Sequence, residues 1–220
     1  ATLPGKIKFK DLDGDGQITE NDRTVIGNTT PKFQGGFGLS GQWKNFDFTA
    51  NFNYMVDFDV YNATNYMLSS SISNTNNFYN VLADFTQKNR WTYVRADGEC
   101  LYKNTNIDGS VNEYITMNAG KSLWNPADVE DKVTHSYFVE DGSFLRLQDV
   151  TIGYTLPSNL TKKWGMSKVR FYASASNLFI LTGYSGYDPE VDVQSGLTPS
   201  MDYNRYPRSR SFVFGTNITF

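Results

Sequence analysis

The sequence predicts an all-β fold of antiparallel strands, and three features carry that reading. Its best-patterned stretches alternate apolar and polar residues with period two. The connections between those stretches are alternately very short and very long. Aromatic residues are abundant: Phe 16, Tyr 14 and Trp 4 make up 15% of 220 residues, which suits strands that press side chains against an apolar surrounding.

The first strand candidate is "KFQGGFGLSG", where Phe33, Phe37 and Leu39 alternate with Lys32, Gln34, Ser40 and glycines. A tight turn around Gly41 to Lys44 leads into "KNFDFTANFNYMVDF". There Phe46, Phe48, Ala50, Phe52, Tyr54 and Val56 share one face, and Asn45, Asp47, Thr49, Asn51 and Asn53 share the other. A long polar segment, 58–142, follows; within it "NNFYNVLADFTQKN" sets Phe78, Val81, Leu82 and Phe85 at helical spacing and predicts a short amphipathic helix. "VTIGYTLP" and "KVRFYASAS" then alternate as a pair, joined by a short connection from about Pro157 to Lys168. After a second long connection, 183–209, the chain finishes on "SFVFGTNITF", whose 10 residues match the 9 to 11 of a tilted membrane strand. The alternation slips near Leu145 to Gln148 and around Leu178 to Ile180, which predicts bulges or chain leaving the membrane zone.

The organisation expected is therefore a segment 1–32 with a carboxylate-rich loop, a barrel hairpin 33–57, a long outer loop 58–142, strands with a short turn 143–182, a second outer loop 183–209 and a last strand 210–220. No stretch approaches the ~20 apolar residues of a membrane helix, which leaves open a membrane β-barrel with its weaker alternating signal. Alternation alone fits a soluble aromatic-cored β-sandwich equally well. The barrel reading carries an arithmetic consequence. Five or six strands cannot close a wall whose smallest examples have eight, so further strands must come from a longer protein or an assembly. Short turns belong on the periplasmic side of such a barrel and long loops outside, which sets Trp43 and Trp164 at the inner aromatic girdle.

Net charge −3 and scattered basic residues argue against nucleic acid as a partner. Cys100 is the single cysteine, so no internal disulfide supports the fold. "ATLPGKIKFK" lacks the charged start and apolar core of a signal peptide, which predicts either its removal or a piece of something longer.

One motif stands apart from the strands. "DLDGDGQITEND" places Asp11, Asp13 and Asp15 at loop positions 1, 3 and 5, Gly16 at 6, Gln17 at 7, Thr19 at 9 and Asp22 at 12. This is the calcium-loop spacing: alternate side-chain oxygens, a glycine for the sharp turn and a backbone carbonyl at position 7. Calcium is the expected cofactor, against a plain Asp/Gly-rich surface turn. Asp22 replaces the longer Glu at position 12, and "GKIKFK" alternates like a strand where an entering helix would be. The expected role is therefore a structural staple on the outer side, with the weak affinity of extracellular sites, about 10⁻⁴ to 10⁻³ M.

Four strings, "KFKDLDGDGQITENDRTVIGNTTPKFQGGFG", "YFVEDGSFLRLQDVTIGYTLP", "VRFYASASNLFILTGYSGYDPEV" and "YPRSRSFVFGTNITF", occur here in the order of a known family. Together they resemble the C-terminal part of SusC/RagA-type TonB-dependent outer-membrane transporters of Bacteroidetes. The resemblance implies a 22-stranded barrel around an N-terminal plug, a SusD-like lipoprotein lid, and TonB-driven uptake of oligosaccharides or peptides. It places the plug and the TonB contact outside these residues, so this chain alone is expected neither to transport nor to engage TonB.

Enzyme chemistry finds little support. His135 and Cys100 lie far apart in a polar loop, and no glycine-rich stretch precedes a helix in phosphate-cradling order. Asp188 and Glu190 in "GYDPE" have the chemistry of a glycosidase pair, but a turn built on Pro189 accounts for them. Trp91, Tyr93 and Trp124 in the long loop are candidate ligand or partner contacts, or else pack the loop; Arg205, Arg208 and Arg210 suit outer-membrane lipid or a solvated rim. The rival readings are a secreted calcium-stabilised carbohydrate-binding β-sandwich and a secreted hydrolase.

Overall fold

The computed structural model describes residues 5–70, 80–94, 115–126, 133–190 and 198–220. It contains two compact units, Ala1–Val25 with Thr64–His135 and Ile26–Ala63 with Ser136–Phe220.

Among the described residues, the second unit holds all the strands: β1 (Phe33–Trp43), β2 (Phe46–Val56), β3 (Asp59–Asn62), β4 (Val139–Asp141), β5 (Phe144–Thr155), β6 (Lys168–Thr182), β7 (Met201–Asp202) and β8 (Ser211–Thr219). Five of them form one antiparallel sheet in the order β1-β2-β5-β6-β8. Sequence neighbours within the sheet are joined by the two short turns. The first turn is tighter than its sequence predicts. β1 continues through Gly41 and Gln42 to Trp43, and only Lys44 and Asn45 make the bend. Lys44 takes a left-handed φ of 52°, and Asn45, expected on a strand face, lies in the turn and donates from Nδ2 to the Thr155 carbonyl at 2.8 Å.

The cross-strand register puts the apolar residues opposite one another. Phe37 faces Phe52 with rings stacked at 4.8 Å, Phe46 faces Tyr154, Phe48 faces Ile152, and Ala173 faces Phe214. The same sheet face therefore carries one continuous aromatic and aliphatic surface, and it is exposed: Phe214 is 79% accessible, Trp43 67% and Phe212 61%. A sandwich would bury this face.

The two irregular stretches are bulges within continuous strands. Gln148 is an extra residue of β5 relative to β2, and β6 carries an extra residue beside Asn177, which adopts φ 53°. These shifts pair Leu147 with Phe52 and Phe179, so both leucines, 145 and 147, return to the apolar face.

At the long-loop end, β3, β4 and β7 form a small sheet ordered β4-β3-β7. Phe58, Val60, Phe144 and Tyr184 pack there as the buried core, with Met55 and Ile180 against it. Polar groups close the same region. Tyr184 donates to Asp202 Oδ2 at 2.7 Å, while Glu140 accepts from Ser185 N at 2.8 Å and from buried Asn62 Nδ2 at 3.0 Å. Burial and the Asp202 carboxylate push the Tyr184 phenol well above its usual pKa.

In the first unit the predicted amphipathic helix does not form over its described part. Residues 81–90 make turns, because their backbone groups bond elsewhere: Leu82 N donates to Leu68 O at 3.0 Å and Trp91 N to Leu123 O at 2.8 Å. Phe85 is buried edge-on against Trp124, with ring centroids 5.3 Å apart. Phe78 lies outside the described residues.

Candidate functional site

The acidic loop folds on its own carboxylates. Asp11 accepts from Gly14 N at 2.6 Å and Gly16 N at 2.9 Å, Asp13 from Asp15 N at 3.1 Å, and Asp15 from Gln17 N at 2.7 Å. Gly14 and Gly16 take φ of 78° and 82°, a region in which a Cβ is strained. One oxygen each from Asp11, Asp13 and Asp15 lies within 4.8 Å of the others, a spacing that one hard cation about 2.3–2.6 Å from each oxygen can bridge.

Asp22 and Thr19 sit differently. They form a capping box at the short 3₁₀ helix Glu20–Asp22. Asp22 accepts from Thr19 N and Leu12 N, each at 2.7 Å, and those two N–H groups hold its carboxyl below the usual range. Thr19 Oγ1 accepts from Asn21 N at 3.2 Å. No helix precedes the loop over residues 5–10 or follows it over 23–29, and 7–10 are not paired as a strand.

The candidate aromatic contacts of the long loop are engaged by the loop itself. Trp124 is buried against Phe85, and Trp91 Nε1 donates to the Lys121 carbonyl at 3.1 Å. Tyr93 is half-buried. His135 is ringed by Phe9, Tyr66 and Trp124 at centroid distances of 5.9, 6.2 and 6.3 Å, and burial lowers its pKa. Cys100 lies outside the described residues.

The wet face of the large sheet is organised by charge. Arg170 on β6 reaches across β5 to Asp47 on β2, donating from Nε to Oδ1 at 2.9 Å and from a terminal nitrogen to Oδ2. The crossing passes over Gly153, where an added Cβ would stand 2.5 Å from both Arg170 Nε and Asp47 Oδ1. Further along, Thr151 and Ser174 hydroxyls meet at 2.7 Å and Ser176 donates to Asp149 at 2.8 Å. Nearer the long-loop end, Arg146, only 3% exposed, bonds Asp188 at 2.6 Å and lies 3.3 Å from Glu190, which Arg208 also contacts at 2.6 Å. The two GYDPE carboxylates are thus paired to arginines, and Pro189 between them is buried. The sequence reading identified the turn but missed its arginine partner, since Arg146 is 42 residues away.

An antiparallel sheet with one exposed apolar face and one polar face is consistent with what the comparisons found. No family model matches the chain. It is 34% identical over 223 residues to TonB-dependent receptor P3 of Formosa agariphila, covering 99% of this chain and 19% of that protein. TonB-dependent receptor SusC of Bacteroides thetaiotaomicron is 28% identical over 219 residues, again with 99% of this chain and 18% of that protein. The chain is homologous to part of a TonB-dependent receptor. It spans about one fifth of the length of the curated relatives it matches. TonB-dependent receptors are outer-membrane β-barrel proteins and not enzymes, and an exposed apolar sheet face is what the wall of such a barrel presents to lipid. The RagAB peptide importer in its closed-closed state superposes with a TM-score of 0.66 at 23% identity, covering 99% of this chain and 21% of that one. At that identity the likeness speaks for the receptor fold alone.

Proposed function

We propose that this chain is part of the wall of a 22-stranded TonB-dependent importer, taking up oligosaccharides or peptides with a SusD-like surface lipoprotein. The observation that carries the reading is the five-stranded sheet with one exposed aromatic face and one ion-paired polar face. Its outer strands β1 and β8 each pair on one side only among the described residues, which leaves edges for the remainder of the barrel. The polar face would then look onto the plug, and the plug's side of the protein would engage TonB. Half-buried Trp91 and Tyr93 are the loop's contacts for nutrient or lipoprotein in this scheme.

The acidic loop acts in it as a calcium staple on the outer side. Asp11, Asp13 and Asp15 supply the converging oxygens, with the Gln17 carbonyl, Thr19 and Asp22 completing the set of six or more that calcium takes. The capping role of Asp22 orders the loop and leaves lone pairs on both of its oxygens.

Two measurements test the proposal. The complete receptor should migrate faster in unheated than in heated detergent gels and require detergent for extraction; extraction into plain buffer with no such shift would support a secreted sandwich or hydrolase instead. Asp11→Ala with Asp13→Ala should remove one bound calcium and raise protease cleavage of the first unit. Unchanged calcium content and unchanged cleavage would rule out the metal assignment.

A further inference from the structure

The two short turns are basic. "GQWKNF" (41–46) and "LPSNLTKKWGMSK" (156–168) contain no acidic residue, although the whole chain carries 23 and has a net charge of −3. The nearest carboxylate in sequence, Asp47, is taken by Arg170. The turns adjoin, since Thr155 N donates to the Asn45 carbonyl at 2.8 Å and Asn45 Nδ2 returns to the Thr155 carbonyl.

Lys44 is held at the margin of the apolar face. Trp43 belongs to that face through its pairing with Phe46, and the left-handed bend at Lys44 brings its Nζ over the Trp43 ring, 4.8 Å from the centroid. In the second turn, the helix Ser158–Thr161 and the 3₁₀ turn Lys162–Trp164 are anchored by fully buried Thr161 and stopped by Gly165 at φ 71°. Lys162 and Lys163 stay exposed, and Trp164 is 62% accessible. Among the described residues, Lys44, Lys162 and Lys163 make no ion pair. Cations suit a helix C-terminus, but a seven-residue turn leaves their charge largely unneutralised.

We infer that this end of the sheet is a docking surface for anionic phospholipid headgroups of the periplasmic leaflet. Phosphates meet Lys44, Lys162 and Lys163, and the acyl chains continue along Trp43, Phe46 and Tyr154. The inference rests on the proposed wall and its orientation. Charge complementarity and the continuity of Trp43 and Lys44 with the apolar face select the occupant, because lysines at an interface attract anionic headgroups within a Debye length.

The test uses the complete receptor, delipidated in detergent and titrated with phosphatidylglycerol, phosphatidylcholine or lipopolysaccharide under native mass spectrometry. Phosphatidylglycerol should bind at least about threefold more tightly than phosphatidylcholine. Lys44→Gln, Lys162→Gln and Lys163→Gln together should erase that preference, and the three corresponding Arg substitutions should keep it. Equal binding of the two phospholipids by the unsubstituted receptor, or a preference that survives the glutamines, overturns the inference. A loss of lipopolysaccharide binding in place of phosphatidylglycerol binding also overturns it, because the surface would then face the other leaflet. If the triple variant does not assemble, the phospholipid ratio of the unsubstituted receptor and of Lys44→Gln decides. Heat-modifiable migration of the same unsubstituted samples judges the wall reading separately: a receptor that keeps its shift but shows no lipid preference loses only this inference.

Discussion

At the scale of single residues, much of the chain's polar chemistry is spent on holding its own backbone and loops. Asp11, Asp13, Asp15 and Asp22 each accept backbone N–H groups, and Arg146 clamps the GYDPE turn. His135 is the residue whose charge state bears on stability near neutral pH. Packed among Phe9, Tyr66 and Trp124, it has a lowered pKa because burial disfavours the charged ring. A folded-state pKa below the unfolded value means that the unfolded chain binds more protons, so stability falls as pH drops through about 6.5 and levels off below the folded pKa. Limited proteolysis of the first unit should therefore quicken between about pH 7 and pH 5, and His135→Phe should flatten that dependence. An unchanged pH profile in the variant would show that other groups set it.

At the scale of elements, the single glycine of β5 matters as much as its hydrophobic residues. Gly153 is the gap through which Arg170 reaches Asp47, and a side chain there must displace the pair. Gly153→Val should lower the stability of the complete protein by about 1 to 3 kcal/mol through overpacking, read, if the proposed barrel forms, as a lower temperature for the gel-mobility shift. In an Arg170→Ala background the same change should cost less, since the clashing group is gone. Equal costs in both backgrounds would mean that the crossing does not govern the position. Alternation in the sequence located β1, β2, β5, β6 and β8, because a sheet with one apolar face writes itself as period two. It could not locate β3, β4 and β7, which span only two to four residues and pair through contacts distant in sequence. The helical spacing around Phe85 misled for a related reason: its apolar residues are consumed by a partner, Trp124, that local periodicity cannot see.

At the scale of the whole molecule, the sheet has two ends of unlike character. Trp43, Lys44 and Trp164 mark the short-turn end, while the small second sheet and the GYDPE turn cap the other. The proposed orientation makes a topological prediction. With Cys100→Ser as background, Tyr206→Cys, at a position 92% exposed, should react with a membrane-impermeant maleimide on intact cells, whereas Lys163→Cys should react only after the outer membrane is opened. The reverse labelling pattern would invert the assignment of the two ends.

The sequence by itself determined the all-β class, the five long strands, the apolar and polar faces and the spacing of the carboxylate loop. Each is written in a short window of period two or in fixed offsets of oxygen-bearing residues. Tertiary structure alone decided that Arg170 crosses Gly153 to Asp47, that Arg146 neutralises Asp188 and Glu190, that Asp22 caps the acidic loop, and that the apolar face stays uncovered. Those outcomes depend on which strands become neighbours and with what register, and pairing between residues up to 123 positions apart leaves no local mark.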